Sequence, residues 1–269
     1  MVVMMRVLEI YEKDEFKKLQ LVDGRCVHKV MDDFFKKYPK EYRFNYDCNL
    51  EKTKLFLIDG LAGSVRAEYY PDVDKIMYTD SEYIIHELMH MAHYDRNRDI
   101  MAIEQVGNTM GDSLIEGAAE YLASQATGIP NDGYIFQTFV IDMLSDIDNF
   151  FKPFFIPNYK EFIRLFVRKR DIYNLIWGLD YYHNNYDIEY DDENYKAVSK
   201  KLGVAIRQVI DSLILIEKRR NRSILDKKRY YEKFMDLISD DIVNINLSEY
   251  FEDYKDYTNK EIKKKILGR

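Results

Sequence analysis

Residues 86–90 read HELMH, a His-Glu-x-x-His pattern inside the helical stretch 80–95. Residues four apart on an α-helix return to the same face, about 5.4 Å along the axis. His86 and His90 can therefore offer imidazole nitrogens to one metal ion at about 2.1 Å, the distance typical of zinc. Glu87 follows the first histidine directly, so it is expected beside such an ion, where it can accept a proton from a water molecule.

The helix that carries this pattern has sequence signals of its own. Thr79 and Glu82 fit a capping box, which predicts a helix start near residue 80. An apolar stripe opposite the two histidines predicts the buried face of the helix, and it consists of Ile85, Leu88, Met89 and Ala92.

A catalytic zinc site needs a third protein ligand and leaves a fourth position for water. His93 is the nearest histidine, but it lies about 10.5 Å from His86 along a helix axis, whereas two ligands of one ion are about 3.4 Å apart. We therefore predict that His93 packs in the core or supports a ligand. Glu116, in the stretch LIEGAAEYLASQATG at 114–128, is the better third ligand.

The helix predicted around Glu116 favours this choice. Asp112 can cap it, Gly128 can end it, and residues 117–119 are small enough for a close approach to the first helix. Glu116 and Glu120 lie four apart and share a face, and a buried pair of carboxylates is costly unless a positive group neutralises it. A zinc ion with its histidines would do so; the alternative is two exposed glutamates on an ordinary amphipathic helix.

HELMH followed after 26 residues by EGAAEY resembles the gluzincin zinc metallopeptidases of the MA clan, whose third ligand comes from a helix of the E-G-x-A-E-Y type. The resemblance covers about residues 54–127. It implies a zincin-like fold, with a sheet whose edge receives the substrate, two helices that hold the metal, and a helical lobe that closes the cleft. The residues it implies are the zinc ligands His86, His90 and Glu116, the general base Glu87, and Glu120, which orients a ligating histidine.

A peptidase of this family also needs a hydrogen-bond donor for the oxyanion of the tetrahedral intermediate. Gluzincins take this donor, a tyrosine or a histidine, from the helical lobe. The stretch LDYYHNN at 179–185 offers Tyr181, Tyr182 and His183, and the sequence does not choose among them. The alternative is that these residues are unrelated to a site, since the chain has 23 tyrosines.

Outward from these motifs, the sequence predicts an α+β chain that is mainly helical, with a small N-terminal sheet. The 11 glycines and 5 prolines are few for 269 residues, which favours helices over tight turns. Strands are predicted at 54–58, 64–70 and 74–78. Helices are predicted at 13–38 with a break near Gly24, and at 80–95, 112–127, 135–150, 159–177, 193–220 and 224–238.

Gly128-Ile129-Pro130 combines a glycine that ends a helix with a proline, and it predicts a boundary. An N-terminal α+β lobe at 1–127 would carry both motifs, and 128–269 would form a helical C-terminal lobe, within one two-lobed unit. Residues 74–78 are predicted to be the exposed edge of the sheet, where an extended peptide can pair by strand addition. The loop at 95–111 would border the cleft as a partial lid.

Composition limits the classes of partner. With 40 basic and 47 acidic residues the net charge is −7, which argues against a general nucleic-acid binder. The basic tract at 217–233 is then better explained as exposed helix faces than as a nucleic-acid surface. Cys26 and Cys48 are expected to be free thiols in a reducing compartment. No apolar run long enough for a membrane helix and no signal peptide is recognised, so a cytoplasmic protein is expected.

Three functions stay open at this point. The first is a zinc metallopeptidase that hydrolyses a peptide or protein substrate with a metal-activated water. The second is an intracellular regulatory protease like the ImmA/IrrE family, which the ligand spacing favours, although no helix-turn-helix signature accompanies it. The third is a zincin scaffold that binds a partner, against which Glu87 argues because nothing structural requires a glutamate there. The sequence identifies neither the substrate nor an oligomeric state.

Overall fold

The computed structural model describes residues 6–60, 65–103, 111–129, 133–185 and 192–220. These residues are mainly helical and include a small mixed sheet. The predicted helix at 224–238, most of the basic tract and the part of the predicted lid at 104–110 lie outside the described residues. Within the described residues, no helix combines the length and the apolar character needed to cross a bilayer.

The strands and helices follow in the order β1, α1–α3, β2–β4, α4, β5, β6 and α5–α10. The strands are β1 Val7–Tyr11, β2 Lys54–Ile58, β3 Ala67–Tyr70, β4 Lys75–Tyr78, β5 Tyr94–Asp95 and β6 Ile100–Met101. The helices are α1 Lys13–Phe16, α2 Val27–Phe35, α3 Phe44–Leu50, α4 Ile84–His93, α5 Asp112–Thr127, α6 Ile135–Ser145, α7 Lys152–Phe155, α8 Tyr159–Arg164, α9 Lys169–His183 and α10 Asp192–Arg219.

The four-stranded sheet has the order β1-β2-β4-β3, with β2 and β4 parallel and the other two pairs antiparallel. The prediction that 74–78 forms the exposed edge is therefore wrong, because β4 is paired on both sides. Ile76 is the partner of both Leu55 and Tyr69, and all three side chains are buried. β3 forms an edge of the described sheet, since the chain turns back at Pro71–Val73 and lays β4 between β3 and β2.

The predicted strand at 54–58 and the predicted helix at 112–127 are confirmed at their predicted limits. The helix predicted at 80–95 begins only at Ile84, and its cap residue Tyr83 makes no capping hydrogen bond through its side chain. The capping box is not formed, because the Thr79 hydroxyl donates to the carbonyl of Arg66 instead. Thr79 thus extends the β3–β4 pairing, and the helix starts one turn later than predicted.

Other predicted elements are divided or shortened. The predicted break near Gly24 is confirmed, because the stretch 13–38 contains two separate helices, α1 and α2, which are together shorter than predicted. The helix predicted at 159–177 is divided into α8 and α9. The helix predicted at 135–150 ends at Ser145. Strand β1 was not predicted from the sequence. Its first four residues are exposed and show no alternation of burial. A strand without one buried face lacks the pattern by which strands are recognised.

The described residues form two compact units, each made of separate stretches of chain. The first unit takes described residues from 6–103, 118–133 and 147–162, and its core contains the sheet and helices α2, α3 and α4. The second takes those from 111–117, 134–146 and 163–220, in which α9 packs along α10. The single boundary predicted after residue 127 coincides with the end of α5 at Thr127, and the two units do not divide there.

Candidate metal centre

Helix α4 is held in the first unit by its apolar face. The stripe predicted from the sequence is buried, with Ile85, Leu88, Met89 and Ala92 each at most 1% exposed. Asn49 of α3, which is fully buried, fixes the C-terminal end of the helix. Its Nδ2 donates to the carbonyls of Met91 and Tyr94 at 2.8 Å each, and its Oδ1 accepts from Nε of Arg96. These bonds satisfy carbonyl groups that a helix end leaves without helical partners.

The structure brings His86, His90 and Glu116 together, with one ligand atom of each within 4.8 Å of the others. The Nε2 atoms of His86 and His90 are 2.9 Å apart. That separation is near the roughly 3.4 Å expected for two ligands bound at about 2.1 Å to one tetrahedral ion. Two imidazole nitrogens and one carboxylate oxygen are a donor set that zinc accepts in catalytic sites. These three residues therefore fit a metal ion of this kind.

Glu120 lies one turn after Glu116 on α5 and pairs with His86. Its Oε2 is 2.5 Å from Nδ1 of that ring. A carboxylate can only accept a hydrogen bond, so the ring carries its proton on Nδ1 and keeps the Nε2 lone pair for a metal. Glu120 has the position predicted for it, and metal-ligating histidines are commonly oriented by such a carboxylate.

Glu87 is 6% exposed and lies on α4 between the two histidines in sequence. Its charge also acts on Tyr70, at the end of β3. Burial, together with the hydrogen bond to Glu68 and the charges of Glu68 and Glu87, raises the pKa of Tyr70 to about 12. The edge strand β3 therefore ends within electrostatic range of Glu87, and β3 packs against α4.

His93 is not part of the ligand group found among the described residues. It is fully buried, and its ring centroid lies 4.9 Å from that of Phe155 and 5.7 Å from that of Phe154. This arrangement agrees with the prediction that His93 packs in the core.

Gly117 directly follows Glu116 and allows a close approach of α5 to α6. A Cβ atom added at Gly117 would lie 2.8 Å from both the backbone carbon and Cβ of Gln137. Real Cβ atoms do not come that close, and a backbone atom cannot rotate away as a flexible side chain can. The glycine is therefore required by the contact between α5 and α6.

The candidate oxyanion donors point in three directions, because consecutive helical residues are about 100° apart. Tyr182 is buried against Phe136 at a centroid distance of 4.8 Å, and Tyr181 stacks on Trp177. His183 has its Nδ1 3.1 Å from Nε2 of Gln137. Since Gln137 touches Gly117, His183 is the member of the three that is linked to the helix of Glu116.

Three polar residues support this arrangement and were not recognised in the sequence: Asn49, Gln137 and Asp180. Gln137 is 1% exposed and lies in α6, whose sequence is IFQTFVIDMLS. A glutamine in so apolar a helix is the sequence feature that could have indicated a buried polar residue. Asp180 accepts the backbone N–H groups of Gly111 and Ser113 at the start of α5. No local pattern indicates that pairing, because the partners are 67 and 69 residues apart.

The candidate centre thus consists of three residues that could hold a metal ion, the buried carboxylate of Glu87, and the carboxylate of Glu120 beside the His86 ring. Comparison of the chain with family models, with curated proteins and with solved structures found no match.

Proposed function

We propose that this chain is a zinc-dependent metallopeptidase that hydrolyses peptide bonds in a zincin-like fold. The observation that supports the proposal most directly is the grouping of His86, His90 and Glu116, on two helices, with Glu87 next to the first ligand in sequence. A structural metal site would be expected to use four protein ligands, whereas three nitrogen and oxygen ligands are typical of catalytic zinc.

In this function, His86, His90 and Glu116 hold the ion. A zinc ion bound there supplies Lewis acidity, which makes a water molecule more acidic and a substrate carbonyl more electrophilic. Glu87 is outside the ligand group and is proposed as the general base that takes the proton from the attacking water and passes it to the leaving amine.

The position of β3 supports a path for the substrate. Within the described residues, β3 has a sheet neighbour on one side only. The charge of Glu87 contributes to the raised pKa of Tyr70, the last residue of β3. We propose that an extended peptide pairs with the free edge of β3, which replaces the role first assigned to 74–78. His183 is proposed as the donor that stabilises the oxyanion, since its ring is held by Gln137 beside the helix of Glu116.

The experiment combines metal analysis with cleavage of a broad peptide library by the parent and by Glu87→Gln. The glutamine keeps the size and polarity of Glu87 but removes its basicity, so the variant is expected to hold zinc and to lose at least about a hundredfold in cleavage. Glu82→Gln is the matched control, because Glu82 is exposed just before α4. It is expected to cleave at the parental rate.

The outcomes separate the candidate functions. Cleavage by Glu87→Gln at the parental rate would show that Glu87 is not the base. If the parent binds zinc and cuts no peptide in the library, a scaffold that binds a partner is favoured instead. Cleavage restricted to one folded protein, with no activity on short peptides, would favour the regulatory protease.

A further inference from the structure

Helix α5 begins directly after a glycine, which has no side chain that could cap it. Asp112, the cap expected from the sequence, is already the first helical residue, and the preceding residue is Gly111. The Gly111 carbonyl accepts the N–H groups of Leu114 and Ile115, which makes this glycine the N-cap. Its φ of 109° lies in a region that favours glycine, and glycine offers no side-chain acceptor to the N–H groups of the first turn.

Asp180 of α9 supplies what Gly111 lacks. Its Oδ2 accepts the N–H of Gly111 at 2.9 Å, and its Oδ1 accepts the N–H of Ser113 at 3.2 Å. An N-cap side chain normally accepts from the second or third helical residue, and Ser113 is the second. Burial raises the pKa of Asp180 above its ordinary value, while these hydrogen bonds act in the opposite direction. A negative charge near the N-terminus of a helix also interacts favourably with the helix dipole.

We propose that Asp180 is a positioning residue for the metal centre: by capping α5 from α9, it fixes the first turn of the helix that presents Glu116. The inference rests on the proposed function, in which Glu116 is a zinc ligand. Glu116 is the fifth residue of α5, directly after the turn that Asp180 holds. A ligand must lie within a few tenths of an ångström of its ideal distance, so loss of order in that turn reduces metal affinity.

The test measures zinc affinity by competition with a chromogenic chelator, for the full chain and for Asp180→Ala and Asp180→Asn. The alanine variant is expected to bind zinc about ten to a hundred times more weakly, the range seen when a residue that supports a ligand is removed. The asparagine variant keeps one oxygen acceptor and is expected to lie between the alanine variant and the parent. Because it disturbs the fold less, it keeps the test valid if the alanine variant does not fold.

Asp171→Asn is the matched control. Asp171 lies on the same helix as Asp180 and is more deeply buried. It accepts a hydrogen bond from Nε of Arg219 on α10 at 2.6 Å, so its partner is on α10 and not on α5. It is expected to lower stability and to leave zinc affinity within about twofold. Hydrogen exchange of the metal-free proteins adds a second readout, since the amides of 113–116 are expected to exchange faster in the Asp180 variants than in the control.

Parental zinc affinity and parental amide exchange in both Asp180 variants would overturn the inference and leave the proposed function standing. An equal loss of affinity in Asp171→Asn would also overturn it, because the effect would then follow general destabilisation. If the parent binds no zinc, the proposed function fails and this inference fails with it. A failure of the inference alone is recognised because the parent then still binds zinc.

Discussion

Glu120 Oε2 lies 2.5 Å from Nδ1 of His86, while the other nitrogen of the same ring, Nε2, lies 2.9 Å from Nε2 of His90. One carboxylate on α5 therefore sets both the tautomer and the direction of a histidine on α4. The contact between His86 and Glu120 joins the two helices that carry the candidate ligands. Glu116 and Glu120 are four residues apart, so both lie on the same face of α5.

Removal of the orienting carboxylate is expected to weaken zinc binding without abolishing it. Glu120→Gln should bind zinc about ten to a hundred times more weakly than the parent, because the His86 ring exchanges a charged carboxylate acceptor for a neutral amide oxygen, which holds it less strongly. The affinity is measured by competition with a chelator, and Glu161→Gln, an exposed partner of Lys152, is the control. Parental affinity in Glu120→Gln would show that the pair does not support a metal.

Removal of a ligand is expected to abolish stoichiometric binding. His90→Ala should hold well below one zinc per chain, as measured by elemental analysis after dialysis. Zinc at a hundred times its dissociation constant is expected to stabilise the parent by about 2.7 kcal/mol, because it binds the native state only, and it should not stabilise the variant. His28→Ala is the control and should retain one zinc, because His28 has its Nε2 3.2 Å from Asp32 and is not one of the candidate ligands. One zinc per chain in His90→Ala would contradict the ligand assignment.

The close contact between α5 and α6 predicts a strong effect of one methyl group. Gly117→Ala should lower the free energy of unfolding by about 1–3 kcal/mol, since the new Cβ meets the backbone of Gln137 and forces the helices apart. Urea denaturation measures the change. Gly60→Ala is the matched control, because its Cβ meets nothing within 4 Å, and it is expected to change stability by less than about 0.5 kcal/mol. Equal stability of both variants would contradict the contact.

The end of α4 is expected to depend on Asn49. Asn49→Leu should lower the free energy of unfolding by about 2–4 kcal/mol, because it leaves the carbonyls of Met91 and Tyr94 buried without these donors. Asn45→Leu removes a single bond, to the carbonyl of Phe155, and is expected to cost less. Both values come from urea denaturation, and the reverse order would be inconsistent with a special role for Asn49.

The bond between Gln137 and His183 can be tested apart from stability. Gln137→Met keeps the length of the side chain but cannot donate to Nδ1 of His183. The ¹⁵N chemical shifts of the His183 ring are expected to change, because the tautomer is no longer held, and kcat for peptide cleavage should fall more than KM rises. Unchanged ring shifts would exclude a positioning role for Gln137.

The sequence by itself determined the elements whose cause is local. The spacing of His86 and His90 places two ligands on one helical face, and the apolar stripe beside them predicted which face of α4 is buried. Strand 54–58 and helix 112–127 have the predicted limits, because periodicity and a terminal glycine depend on neighbouring residues only. Glu116 and Glu120 are four residues apart, and this spacing likewise predicted that both carboxylates lie on the same face of a helix.

Tertiary structure alone decided which distant residues pair with the backbone and polar groups of these strands and helices. β4 became central because β2 pairs with it in parallel across a long connection, and nothing in the five residues at 74–78 encodes that neighbour. The Thr79 hydroxyl donates to the carbonyl of Arg66 and does not cap α4, and Asp180 accepts two backbone N–H groups at the start of α5, from residues 67 and 69 positions away. The physical reason is that a polar side chain bonds whichever group the fold places within about 3 Å of it, and for residues far apart in the chain that distance is set by packing of the whole unit.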